Sequence, residues 1–129
     1  MELVQARFVT DDVAGLAAFY ARLVQVRVAL NEYYVEVPAG AMSVGFSRRR
    51  FTEYREDTAA AAPACGRDRV ILDFLTHDVD AQYQRIAALG AGLVMAPATQ
   101  PWGNRSAIFA DPGGNLINVF ARNEEGRLL

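Results

Sequence analysis

The sequence predicts an α+β fold in which two tandem βαβββ modules form a curved, cavity-bearing mixed sheet. Three observations carry this expectation. A short pattern recurs 66 residues downstream: Phe8-Val9-Thr10-Asp11-Asp12-Val13 overlays Phe74-Leu75-Thr76-His77-Asp78-Val79. Each copy runs from an alternating stretch through a polar turn into apolar residues spaced three and four apart. That change of period marks a strand feeding a helix. After each helix come short β-branched and aromatic runs punctuated by Gly, Pro or Asn, the texture of further strands. One module alone leaves a sheet face bare, so two must combine to close a core.

The elements follow in order. Residues 3–10 read as a strand ending at Thr10-Asp11-Asp12, whose side chains can accept hydrogen bonds from the first amides of a helix. Val13, Leu16, Phe19, Tyr20 and Leu23 form the apolar stripe of that helix. Residues 24–30 and 33–37 read as two strands joined at Asn31-Glu32, and 41–47 as another after the break Pro38-Ala39-Gly40. The second copy offers a strand over 69–76 and a helix carrying Val79, Tyr83, Ile86 and Leu89, with Gly90 as its stop. Strands over 92–95, 105–110 and 115–121 complete it. Four alanines at 59–62 and Pro63 mark a connection. A single domain, 1–129, is thus expected to hold a first module at 3–50, a connecting segment at 51–68, a second module at 69–122 and a tail at 123–129.

Composition narrows the function classes. At 129 residues and 14.1 kDa the chain is one domain's worth, and 52% hydrophobic with 22% charged residues is a folding composition. A net charge of −2 provides no basic field for phosphates, so no nucleic-acid partner is expected. All 13 basic residues are arginine, which excludes a Schiff-base or phosphate-gripping lysine. One cysteine, Cys65, and one histidine, His77, permit neither an internal disulfide nor a multi-imidazole metal site. The first residues carry no signal-peptide core, and no apolar run approaches the ~20 residues that span a bilayer. A soluble, cytoplasmic protein with no membrane partner is expected.

Two further segments are distinctive. Asp111-Pro112-Gly113-Gly114-Asn115-Leu116-Ile117 reads as a turn leading into a strand: proline fixes φ, the glycines supply left-handed conformations, and Asn115 can bond back to the backbone. Upstream lies Gln100-Pro101-Trp102-Gly103-Asn104-Arg105. With the repeated module, these segments resemble the vicinal oxygen chelate superfamily, which includes glyoxalase I, bleomycin resistance proteins and extradiol dioxygenases. The resemblance covers roughly residues 3–122. It implies the glyoxalase/bleomycin resistance fold and a homodimer. It also implies a divalent metal held by first and last strands of each module, at positions that read Gln5, Val44, Ile71 and Asn118 here, or Val4, Leu72 or Gly45 on a one-residue slip. That quartet has no carboxylate and no imidazole, and two members are hydrophobic. The chain therefore looks closest to metal-free bleomycin resistance-like binding proteins, with no cofactor and no catalytic residue expected. The alternative is a metal-dependent lyase or oxygenase of the glyoxalase or dioxygenase type.

Alternation puts Gln5 and Arg7 on one strand face, Ile71 and Asp73 on the matching face, and Asn118 with Phe120. Arg7 and Asp73 are related by the repeat; charges in mid-strand either meet each other or meet a polar ligand. Trp102, the only tryptophan, suits stacking on a planar ring, and its equivalents in bleomycin resistance-like proteins contact the drug. Tyr33, Tyr34 and Phe46 suit either an aromatic wall or ordinary sheet core. His77 reads as a neighbour of a helix cap, Cys65 as part of the connection, and Arg48-Arg49-Arg50 as a solvated strand end. The expected ligand is a planar aromatic drug or metabolite held by Trp102, Phe120, Arg7, Asp73, Asn118, Gln5 and Tyr34. By resemblance, its sequestration would confer antibiotic resistance.

Overall fold

The computed structural model describes residues 2–48 and 70–122, which form two compact units, one from each repeat. The connecting segment expected at 51–68, with Cys65, lies outside the described residues, as do Arg49, Arg50 and the tail. The architecture is α+β with the paired modules of the glyoxalase/bleomycin resistance fold. No helix among the described residues is long and apolar enough to cross a membrane.

The first unit contains β1 (Gln5–Val9), α1 (Val13–Val24), β2 (Tyr34–Ala39) and β3 (Met42–Ser47), with sheet order β1-β3-β2. β3 runs parallel to β1 and antiparallel to β2. Register places Phe8, Phe46 and Val35 side by side, and Ala6, Val44 and Val37 in the next row. Onto this face α1 lays Leu16, Ala17, Phe19, Tyr20 and Leu23. Tyr20 packs its ring 5.2 Å from Phe46 and 5.8 Å from Phe8, and both Tyr20 and Phe46 are fully buried. Phe46 is therefore core and not an aromatic wall. Rings at such separations add to the area term of burial.

The strand expected over 24–30 does not form a ladder. Val24 still belongs to α1, and Gln25 turns left-handed at φ 61°, its amide and that of Val26 both bonding to the Ala21 carbonyl. This Schellman-type ending satisfies the helix's last carbonyls and turns the chain away. Asn31 then starts β2: its Oδ1 accepts from the amides of Tyr33 and Tyr34 at 2.8 and 3.0 Å. Pro38 ends no strand, because β2 is an edge strand and an edge tolerates proline.

The second unit contains β4 (Ile71–Leu75), α2 (Val79–Ala87), β5 (Gly92–Thr99), β6 (Arg105–Ala110) and β7 (Leu116–Ala121), in sheet order β4-β7-β6-β5. Leu72, Ile117 and Phe109 form one row beneath α2, and Phe74, Val119 and Ala107 the next. Val79 and Ile86 of α2 are buried there, and Tyr83 meets Phe109 at 6.0 Å. β5 runs longer than expected because two register shifts, between Leu93 and Met95 and between Met95 and Ala98, carry it past Pro97.

Both helices start on the same device. Asp12 Oδ1 accepts from the Gly15 amide at 3.0 Å, and Asp78 Oδ1 from the Ala81 amide at 3.0 Å. Thr10 and Thr76 in turn accept from the amides of Asp12 and Asp78. His77 lies exposed between Thr76 and its cap. At the other end of α2's face, Arg105 forks onto Asp80, Nε to Oδ2 at 2.7 Å and Nη2 to Oδ1 at 2.8 Å. That guanidinium holds the Asp80 carboxyl below its usual range.

Candidate functional site

Among the described residues, each sheet carries its helix on one face and leaves the other without one; the polar side chains of mid-strand lie on the helix-free faces. On the first sheet that face consists of Gln5, Arg7 and Val9 on β1, Ser43, Gly45 and Ser47 on β3, and Tyr34, Glu36 and Pro38 on β2. Five of these side chains gather over one glycine. Gln5 Nε2 donates to Tyr34 Oη at 2.7 Å and to Ser43 Oγ at 3.3 Å, and Ser43 Oγ donates to Glu36 Oε2 at 2.6 Å. Arg7 and Glu36 flank Gly45 on either side, Arg7 on β1 and Glu36 on β2. Both are exposed, and Arg7 makes no hydrogen bond or ion pair among the described residues.

Gly45 makes the cluster possible. A Cβ built there would lie 2.8 Å from Gln5 Cδ and 2.9 Å from both amide heavy atoms, too close for a side chain while the Gln5 amide keeps its place. The Gln5 amide thus occupies the space a residue at position 45 would fill.

On the second sheet the equivalent face holds Ile71, Asp73 and Leu75 on β4, Leu116, Asn118 and Phe120 on β7, and Ser106, Ile108 and Ala110 on β6. Asn118 Nδ2 donates to Asp73 Oδ1 at 2.9 Å. The Asn118 Oδ1 is buried with no hydrogen-bond partner, an acceptor facing away from Asp73. Such an orphan costs about 1–3 kcal/mol until a donor reaches it. Phe120 lies one step along β7, with the Arg122 guanidinium 5.8 Å from its ring centroid.

Trp102 stands on the tight loop between β5 and β6. Gln100 N bonds to Asn104 O at 2.7 Å and Gly103 N to Gln100 O at 2.9 Å, closing a turn that leaves the indole 47% exposed. Gly103 sits at φ 101°, which a side chain would resist. Downstream, the second turn is built on Asp111. This buried side chain accepts from the amides of Gly113 and Asn115 at 2.8 Å each and from Asn115 Nδ2. Only Gly114 of the glycine pair is left-handed; Gly113 serves as a donor, and Asn115 bonds the carboxylate, not the backbone alone.

The structure thus brings Gln5, Arg7 and Tyr34 together on the first sheet and Asp73, Asn118 and Phe120 on the second. Trp102 is displayed on its own loop. Sequence reasoning does not single out Glu36, Ser43 or Arg122, and Gly45 enters it only as the neighbour of Val44 one residue away. Glu36 was open to it, since a charge between Val35 and Val37 marks the face opposite the core.

The metal positions implied by the fold change in one member. Gly45 pairs with Arg7 as Asn118 pairs with Asp73, so Gly45, not Val44, is the counterpart of Asn118. Val44 points into the core, level with Ala6 and Val37. The repeat offset, 66 residues at the first strands, has grown to 73 at the closing strands because the second module is longer between them. The corrected set is Gln5, Gly45, Ile71 and Asn118: two neutral amides whose nitrogens donate to Tyr34, Ser43 and Asp73, no side chain, and an alkyl chain. This set does not fit a divalent ion, which wants anionic oxygens or imidazoles. No three His, Cys, Asp or Glu among the described residues are placed to hold one.

With this geometry in place, the comparisons with known proteins agree on the fold. The family described as a glyoxalase-like domain matches residues 5–120, and the chain belongs to that family, within the vicinal oxygen chelate superfamily. Among solved structures, it is similar to a glyoxalase/bleomycin resistance protein/dioxygenase family enzyme from Burkholderia phytofirmans PsJN. Identity is 19%, with 94% of this chain and 98% of that one covered and a TM-score of 0.82. A protein of unknown function from Agrobacterium tumefaciens str. C58 is 26% identical, covering 94% of each chain, with a TM-score of 0.71. A lactoylglutathione lyase from Agrobacterium tumefaciens is 20% identical over 93% of this chain and 92% of its own, at a TM-score of 0.70. No curated protein matches the chain.

Proposed function

We propose that this glyoxalase-like chain is a metal-free binding protein for a small, largely flat organic molecule. Trp102 and Phe120 supply stacking surface; Arg7, Asp73, Asn118, Gln5 and Tyr34 supply polar anchors. The observation that carries the reading is the state of the amides at the fold's metal positions. Gln5 and Asn118 offer only neutral amide groups there and Gly45 and Ile71 offer no polar side chain, a set suited to hydrogen-bonding an organic ligand and poor for a divalent ion. In this reading the working unit is a cytoplasmic homodimer that needs no cofactor and protects its host by sequestration, as in antibiotic resistance.

A thermal-shift panel tests it, because any ligand selective for the folded state raises the melting temperature. Planar aromatic compounds are expected to raise it and to change Trp102 fluorescence, while Trp102→Ala weakens that response and leaves the free protein's stability within about 0.5 kcal/mol. A rise with manganese, nickel, iron or zinc that chelator reverses, and none with aromatic compounds, overturns it in favour of a metal-dependent lyase or oxygenase.

A further inference from the structure

The helix-free face of the first sheet holds two opposite charges that do not meet. Arg7 and Glu36 are in the same register row, separated only by Gly45, so their Cα atoms stand two strand spacings apart, about 9–10 Å. Side chains of this length over a bare glycine would ordinarily close into an ion pair. They form none here. The Gln5 amide lies across Gly45 between them, and Ser43 Oγ holds Glu36 by its Oε2 at 2.6 Å.

The hydrogen-bond polarity is also fixed. Gln5 spends one N–H on the Tyr34 oxygen and the other on Ser43, so Tyr34 accepts from Gln5 and its own proton is left for another partner. Tyr34 is 41% exposed, and no acceptor for its hydroxyl proton is found among the described residues. The face therefore offers donors in Arg7 and the Tyr34 hydroxyl and acceptors in Glu36 Oε1 and Gln5 Oε1. It is electroneutral, with the charges held apart.

We infer that this face recognises a zwitterion of the amino-acid class: Arg7 and the Tyr34 hydroxyl take the carboxylate, Glu36 and the Gln5 carbonyl take the ammonium. Gln5 is a positioning residue that keeps the two charges from pairing. The inference rests on the binding-protein reading above and names the headgroup of the ligand that reading calls for.

Three compounds with one ring and different charges test it on the full chain by calorimetry: L-phenylalanine, 2-phenylethylamine and 3-phenylpropionate. Phenylalanine is expected to bind about tenfold tighter than either, the effect of one charge-assisted contact. Arg7→Gln should bring phenylalanine down to the amine, and Glu36→Gln should bring it down to the acid. Both positions are exposed, so both variants fold. Gln5→Ala keeps both charges and yet should lose the preference for the zwitterion, which a merely structural residue would not do. Equal binding of either single-charge compound, or unchanged affinity in both charge variants, overturns the inference. If none of the three binds while another planar compound stabilises the protein, the zwitterion site falls and the binding reading stands. If no planar compound of any charge stabilises it, both fall.

Discussion

The Gln5 amide lies so close over Gly45 that a single added methyl group would touch three of its atoms at 2.8 to 2.9 Å. Residues 40 apart in sequence thereby depend on each other: the glycine has no side chain so that the glutamine can lie flat. Gly45 does not have a left-handed φ, so alanine there is acceptable to the backbone and harmful only to the amide.

Gly45→Ala should therefore expel Gln5 from its bonds to Tyr34 and Ser43 without unfolding the sheet. The expected cost is about 1 kcal/mol, two hydrogen bonds lost against the gain from replacing a strand glycine. Urea denaturation measures it. A stability loss above that of a core truncation would mean the glycine is needed by the backbone itself.

Asp111 anchors the turn into β7 by accepting from two backbone amides and the Asn115 side chain while nearly fully buried. Asp111→Ala should cost about 2–3 kcal/mol, since it leaves the Gly113 and Asn115 amides without their acceptor. Asn115→Ala should cost less, because the two amide bonds survive it. Equal losses in the two variants by thermal denaturation would contradict this division.

Much of the fold was legible because its cues are local. The repeated Thr-x-Asp before each helix, the apolar stripes and Gly90 lie within a few residues of what they specify, and both caps formed as read. Alternation also put Gln5 with Arg7 and Asn118 with Phe120 on common faces, as the register has them. What failed was long-range. The segment over 24–30 has the composition of a strand, but a strand exists only with a neighbour to bond, and Gln25 turns the chain away. The placement at Val44, one residue from Gly45, needed the pairing of β3 with β1, which no local cue in the sequence gives. The Gln5–Tyr34–Ser43–Glu36 network joins residues that only the sheet brings together, so no spacing announces it.

Acid stability should register the Asp80–Arg105 fork. The hydrogen bond from Arg105 lowers the Asp80 carboxyl below its ordinary value of 3.8. A carboxyl lowered in the folded state contributes stability that is present above the ordinary value and is lost as pH falls through the folded one. Denaturation midpoints of the natural protein should fall more steeply below about pH 4 than those of Arg105→Gln. Parallel acid limbs for the two proteins would show that the fork is loose in solution.

The two prolines in mid-strand have a consequence for how these sheets can be extended. Pro38 lies on β2 and Pro97 on β5, an outer strand of each sheet. A proline there breaks the row of donors that an incoming chain would need, so neither border is a template for aggregation. The opposite borders, β1 and β4, contain no proline. Within each unit, therefore, the border that keeps its full row of donors is the first strand of the module.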